Sequence, residues 1–294
     1  MSARILDGRE ISRQMRAELK TDVDALRARG VVPGLGVLLV GDNPASRSYV
    51  TAKEKACEET GLHSQEVNLP ATATRAEILE VVNAFNADPA IDGILVQLPL
   101  PDTSIEQEVI AAISPDKDVD GFHPVNVGRM MLGLPAFLPC TPHGVLHLIA
   151  RSGTPAKGAH VVIVGRSNIV GRPLANLLSQ KTPLGDATVT ICHTGTRDLK
   201  RHTLQADILV AAAGRPNTIT GDMIREGAVV IDVGVNRMPD ATKAAGFRLA
   251  GDVDFAAACE RASAITPVPG GVGPMTITLL LHNTVQSARR RAGA

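Results

Sequence analysis

The sequence predicts an α/β protein of two domains, the second a Rossmann-type parallel sheet. Three observations carry that expectation. At 294 residues the chain is long enough for two domains of ordinary size, each burying its own core. Short apolar runs alternate with helical patterns almost to the C-terminus, the order expected of parallel sheets covered on both faces. One of those runs, VVIVG, passes through a glycine turn into a helix, as a dinucleotide-binding sheet requires.

Taken in order, Ile11, Met15, Leu19, Val23 and Leu26 recur at helical spacing and end at Gly30. GLGVLLVG then reads as a strand buried on both faces. A helix over 46–60 and another over 74–86 lead to IDGILVQLPLP, whose prolines stop the strand near Gln97. The polar loop SPDKDVDGFHPVNVG follows. From about residue 139 a second series runs through helix TPHGVLHLIARSG, strand HVVIVG, helix IVGRPLANLLSQ and strands ATVTICHT, ADILVAAAG and AVVIDVGVN. The last helix, MTITLLLHNTVQSARRR, is apolar early and basic late, and either ends the second domain or returns to the first. The expected domains are residues 1–138, completed by about 279–294, and 139–278.

Charge excludes some functions. Thirty basic and thirty acidic residues cancel, so no overall field draws the chain to nucleic acid or an anionic membrane. The N-terminus is charged from the start, and no stretch approaches the roughly 18 apolar residues of a membrane span, so a cytoplasmic protein is expected. Cys57, Cys140, Cys192 and Cys259 lack CxxC or His-paired spacing, which argues against a metal site or a disulfide framework and for small buried hydrophobes.

The chemistry begins at Tyr49, the only tyrosine, four residues before Lys53 and therefore on the same helix face. A proton-handling lysine is one reading of the pair; a half-buried structural tyrosine and a solvated lysine are the other. DKDVDG starts like a calcium loop, but Val127 occupies the twelfth position, where a bidentate Glu is needed. Asp116 and Asp118 suit turns that accept backbone N–H groups. Asp120, beside Gly121, suits a carboxylate that takes two N–H donors from a pterin or purine ring. Gln97 stands at the carboxyl end of a buried strand, where open α/β sheets place ligands, or else satisfies loop backbone there.

In VVIVGRSNIVGRPLANLL the glycines are Gly165 and Gly171, wider apart than in G-x-G-x-x-G. The helix that follows can turn its N-terminal N–H groups toward a pyrophosphate. The next strand ends in Thr194 and Thr196, with Arg197 and Lys200 nearby, rather than in the acidic residue that holds a ribose 2′-hydroxyl. With Arg166 in the glycine turn the pocket is cationic, which favours NADP over NAD. Arg197 and Lys200 also fit a solvated helix face.

Together these segments resemble the bifunctional methylenetetrahydrofolate dehydrogenase and methenyltetrahydrofolate cyclohydrolase family, nearly end to end. The resemblance rests on Ser48-Tyr49-Val50 with Lys53, GILVQLPLP, DKDVDGFHPVNVG, PCTPHGV, VGRSNIVGRP, AAAGRP, DVGVN, GDVDF and PVPGGVGPMT. It implies a folate-binding first domain, an NADP-binding second domain, a site in the cleft between them and a homodimer. It makes Lys53 the catalytic lysine, tuned by Gln97, with Tyr49 orienting the folate, Asp120 holding the pterin, and Leu98, Pro269, Gly270 and Gly271 bordering the substrate. The cofactor positions become Gly165, Arg166, Ser167, Val170, Gly171, Thr194, Ala213, Gly214 and Val235. Thr194 often aligns with a serine in the family, which keeps the hydroxyl. Cys140 and His143 are expected to be structural.

Three rivals remain. A short-chain dehydrogenase also uses Tyr-x-x-x-Lys, but its nucleotide glycines precede the pair, whereas Gly165 follows it by more than a hundred residues. A non-catalytic NADP-binding regulator would be expected to lose Lys53, Gln97 or Asp120, and all three are present. A member with only one of the two activities is not separated by these motifs.

Overall fold

In the computed structural model, which describes residues 2–243 and 246–293, the chain divides into two compact units. One is Arg13–Cys140 with Ile277–Ala294; the other is Met1–Ser12 with Thr141–Thr276. Met1 and Ala294, the outer limits of the expected first domain, lie outside the described residues.

The chain opens with β1 (Arg4–Ile5) and α1 (Gly8–Arg27), whose Leu19, Val23 and Leu26 are buried at helical spacing. Strand β2 (Gly34–Val40) is buried along its whole length, as a central parallel strand must be. It is followed by α2 (Pro44–Thr60), β3 (His63–Leu69), α3 (Arg75–Ala87) and β4 (Gly93–Val96). The three strands form a parallel sheet in the order β3-β2-β4. Helix α3 starts at a capping box, in which Thr74 Oγ1 accepts from the Glu77 N–H and the Glu77 carboxylate accepts from the Thr74 N–H. Its Ile78, Val82 and Phe85 pack with Leu38, Val40, Ile94 and Val96 in one apolar cluster. Helices α4 (Glu106–Ala112) and α5 (Pro124–Met131) flank the polar loop.

The second series comprises α6 (Cys140–Ala150), β5 (His160–Val164), α7 (Gly171–Ser179), β6 (Thr188–Cys192), α8 (Leu199–Thr203) and β7 (Ile208–Ala211). It continues through β8 (Val229–Asp232), β9 (Asn236–Pro239), β10 (Phe247–Ala250), α9 (Phe255–Arg261) and β11 (Ala264–Ile265). Six strands pair in parallel in the order β1-β11-β8-β7-β5-β6. From β5 the chain steps outward to β6 and then returns to β7 on the other side of β5. The direction therefore reverses between β5 and β7, which is where open α/β sheets form a ligand crevice at the strands' carboxyl ends.

Helix α10 (Val272–Arg291) ends the chain. Its later turns are tied to the lysine-bearing unit: Asn283 Nδ2 donates to the carbonyls of Val119 and Leu138, and Ser287 Oγ to that of Asp116. Arg291 makes a two-pronged pair with Asp92, a buried carboxylate that also accepts from the Gly34 N–H.

The structure departs from the expected elements in places. Residues 1–12, expected in the first domain, belong instead with the six-stranded sheet, because Arg4 and Ile5 pair with Ala264 and Ile265. Two-residue strands carry no sequence periodicity, so β1 and β11 had no signal. The polar edge strand β3, the short α8 and the antiparallel pair β9–β10 were likewise not anticipated.

Candidate active site

Tyr49 and Lys53 sit one turn apart on α2, and their burial differs sharply: Tyr49 is 36% exposed and Lys53 is 6% exposed. The lysine is therefore not on a solvated face. Its Nζ donates to Gln97 Oε1 at 2.8 Å. Gln97 follows β4, and its Nε2 donates to the Leu98 carbonyl at 2.8 Å, which holds the amide with its oxygen toward the lysine. Gln97 thus satisfies loop backbone, one of the two readings of its position, and also holds Lys53, as the resemblance implies.

Burial lowers the pKa of Lys53, with the nearby Asp120 carboxylate opposing the shift. Burial pushes Asp120 up to about 6, against the pull of Lys53 and with a smaller push from Asp118. Asp118 itself accepts from the N–H groups of Phe122 and His123 and from Asn126 Nδ2, which fixes the turn after Asp120. A carboxylate held by three donors in this way is a turn-former.

Cys140, expected to be structural, lies beside Lys53 and Asp120 and bonds to backbone there. Its buried thiol donates to the Val119 carbonyl at 3.3 Å and is pushed well above its ordinary pKa by burial and by Asp120. It stays a thiol at neutral pH. Asn283 had no sequence signal, yet it holds the same Val119 carbonyl from 164 residues away. His143 lies on α6 in the other unit, its ring 4.9 Å from that of His147.

The cofactor candidates gather at the carboxyl ends of four adjacent strands: Gly165, Arg166 and Ser167 after β5, Thr194 after β6, Ala213 and Gly214 after β7, and Val235 after β8. Gly165 has φ +143°, and a Cβ there would lie 2.1 Å from the Ala212 carbonyl oxygen. A Cβ on Gly171 would lie 2.1 Å from the Gly165 carbonyl oxygen, so the wider glycine spacing still packs the helix tightly onto the turn.

One expectation changes here. The N–H groups at the start of α7 are not directed outward at a pyrophosphate, because Ser167 takes them: its Oγ accepts from Val170 and Gly171, and its carbonyl accepts from Arg172. The longer glycine interval inserts an extra turn that folds back on Ser167. Having accepted twice, the Ser167 hydroxyl still has its own proton to donate.

Thr194 and Arg197, after β6, and Arg166, after the adjacent β5, are exposed. Asp198, the nearest acid, is spent capping α8 by accepting from the Arg201 N–H, and Lys200 is paired with Asp222 at 2.6 Å. The groups presented are thus hydroxyls and guanidinium, a set that fits a 2′-phosphate better than a bare ribose. Pro269, Gly270 and Gly271 lie in the turn before α10, within the nucleotide-type unit, where the Gly270 carbonyl accepts from the Arg9 N–H.

Comparison with known proteins agrees with this arrangement. Residues 6–120 match the family described as tetrahydrofolate dehydrogenase/cyclohydrolase, catalytic domain, and residues 139–292 match its NAD(P)-binding domain. The bifunctional protein FolD of Dehalococcoides mccartyi is 57% identical over 100% of this chain and 99% of its own length. Among solved structures, the bifunctional enzyme FolD of Campylobacter jejuni superposes with a TM-score of 0.91 at 47% identity, covering 99% of this chain and 100% of its own. The Trypanosoma brucei methylenetetrahydrofolate dehydrogenase-cyclohydrolase, solved with NADP cofactor and inhibitor, gives 0.95 at 39% identity and covers all of both chains. With both halves matched in order and more than half of its residues shared with a full-length relative, the chain belongs to the tetrahydrofolate dehydrogenase/cyclohydrolase family.

Proposed function

We propose that this protein oxidises 5,10-methylenetetrahydrofolate with NADP to 5,10-methenyltetrahydrofolate and then hydrolyses that product to 10-formyltetrahydrofolate. The observation that carries the reading is the buried Lys53, held by Gln97 and facing Asp120. Bound NADP supplies the hydride acceptor of the first step. Arg166, Ser167 and Thr194 anchor it, and the chain's own task there is alignment and exclusion of water.

The second step is proton work. An ordinary lysine, with a pKa of about 10.4, is almost wholly protonated at neutral pH. Burial shifts Lys53 toward the neutral amine, and a cationic methenyl folate beside it adds to the shift. The amine takes a proton from the attacking water as oxygen bonds to the methenyl carbon. The carbon–N5 bond then breaks as the new hydroxyl becomes the formyl C=O and releases its proton to solvent; N5 receives the proton that Lys53 took up, and the formyl group stays on N10. Gln97 Oε1 keeps the amine aimed throughout. Tyr49 offers its exposed ring to the folate, and Leu98 borders it.

Asp120 holds the pterin by accepting from its N–H groups, which requires the ionised carboxylate. With a pKa raised to about 6, it becomes protonated as pH falls through that value. The KM for folate is therefore expected to rise below about pH 6. Asp120→Asn is expected to raise that KM about tenfold or more at pH 7.5, the scale of a charge-assisted hydrogen bond, and to abolish the pH dependence. The affinity for NADP stays unchanged in this account; equal weakening of both ligands would contradict the pterin role.

The deciding experiment is an absorbance assay of the purified protein with 5,10-methylenetetrahydrofolate and either NADP or NAD, followed by 5,10-methenyltetrahydrofolate alone. Oxidation that prefers NADP, together with enzymatic hydrolysis, is the expected result. Turnover in neither assay would sink the proposal. The reading extends to a cytoplasmic homodimer that supplies one-carbon units for purine, methionine and histidine biosynthesis. No helix among the described residues is long and apolar enough to cross a membrane. A single-chain mass in sedimentation would overturn the dimer.

A further inference from the structure

Two carboxylates are buried together behind the strand ends that carry the cofactor candidates. Asp232, at the end of β8, accepts from the N–H groups of Gly234, Asp252 and Val253. Asp252, in the loop between β10 and α9, has no exposed surface. Its Oδ2 accepts from the N–H groups of Ala213 at 2.6 Å and Gly214 at 2.8 Å, and its Oδ1 accepts from Asn236 Nδ2 at 2.9 Å. Among the described residues neither carboxylate has a salt bridge to a lysine or arginine. Burying a carboxylate this way carries a desolvation cost that an apolar or amide side chain would avoid.

The peptide geometry supplies a reason. In a trans peptide the N–H and the preceding C=O point in opposite directions. With the Ala213 and Gly214 N–H groups directed at Asp252, the carbonyls of Ala212 and Ala213 point away from it. The Ala212 oxygen confirms the direction: it lies where a Cβ on Gly165 would be 2.1 Å away, at the reversal point between β5 and β7. A carboxylate behind the two peptides also polarises them and strengthens the carbonyls as acceptors.

We infer that Asp252 is a positioning residue for the nicotinamide cofactor, orienting the Ala212 and Ala213 peptides so that their carbonyls accept from the hydrogen-bond donors of the bound nucleotide, its carboxamide or ribose hydroxyls. Asn236 serves the same turn by fixing Oδ1. This inference rests on the dehydrogenase reading, but its test can fail independently of it.

Asp252→Asn keeps the shape and inverts one polarity. The new amide nitrogen faces either the Ala213 and Gly214 N–H groups or Asn236 Nδ2. Asn236 cannot turn its own amide around freely, because Nδ2 also donates to the Ala250 and Gly251 carbonyls. Calorimetry is expected to give a Kd for NADP at least tenfold weaker than wild type. In turnover the loss falls mainly on KM for NADP, and hydrolysis of 5,10-methenyltetrahydrofolate, which uses no nicotinamide, holds within twofold. An unchanged Kd for NADP, or hydrolysis falling in parallel with oxidation, would overturn the inference. Should Asp252→Asn fail to fold, Asn236→Ala removes the donor to Oδ1, together with the longer bonds to the Ala250 and Gly251 carbonyls, and leaves the Asp252 carboxylate in place; a rise of a few fold in the NADP Kd is then expected, and no rise overturns it. Wild-type protein without turnover would sink the enzymatic reading alone, since the comparison of NADP affinities needs no catalysis.

Discussion

Replacing Lys53 with methionine is expected to lower hydrolysis of 5,10-methenyltetrahydrofolate by about 10²- to 10⁴-fold, the usual scale of a lost general base. Methionine keeps most of the length and apolar stem of lysine, so the buried helix face stays filled. What disappears is the amine that Gln97 Oε1 accepts from and that balances Asp120. Hydride transfer needs alignment rather than proton transfer, so NADP-dependent oxidation persists at a reduced rate. Single-substrate assays of the two steps separate the outcomes. Hydrolysis near the wild-type rate would remove Lys53 from the mechanism. Loss of both steps in equal measure would make it a folate-binding residue instead.

The second large effect is expected at Gly165. Gly165→Ala places a methyl group 2.1 Å from the Ala212 carbonyl oxygen, far inside contact distance, at a φ of +143° that side chains rarely adopt. Strain of this kind costs on the order of 1–3 kcal/mol, and relief requires the two strand ends to part. NADP-dependent oxidation is expected to fall by a factor of ten or more, with the KM for NADP carrying most of the change. Hydrolysis belongs to the other unit's residues and is expected to survive. A KM for NADP within twofold of wild type would show that the turn does not hold the cofactor.

How much of this was legible in the sequence depends on the range over which each signal acts. Tyr49 and Lys53 were readable because helical spacing links them locally, and Gln97 because prolines mark the end of its strand. Asp118 was readable as a turn residue for the same local reason. The glycine turn was recognised, but not that Ser167 would gather the N–H groups at the start of α7, since that follows from the extra turn between Gly165 and Gly171. Cys140 was legible as a structural residue, whereas Asn283 carried no signal, because the Val119 carbonyl that it holds lies 164 residues away, where neither spacing nor residue type gives notice. The placement of residues 1–12 failed for a similar reason, as β1 is defined only by its partner β11.

The pairing of Asp92 with Arg291 has a consequence for synthesis on the ribosome. Asp92 is emplaced next to Gly34 by the early part of the chain, yet its counter-ion is 199 residues downstream, after the whole second series of strands. Until α10 emerges, the nascent lysine-bearing unit holds this carboxylate without its arginine partner, and the seats of Asn283 and Ser287 stand open. The unit begun first is therefore completed only after the six-stranded sheet has been made, and the emergence of α10, rather than of residue 140, sets the moment at which the residues around Lys53 acquire their full support.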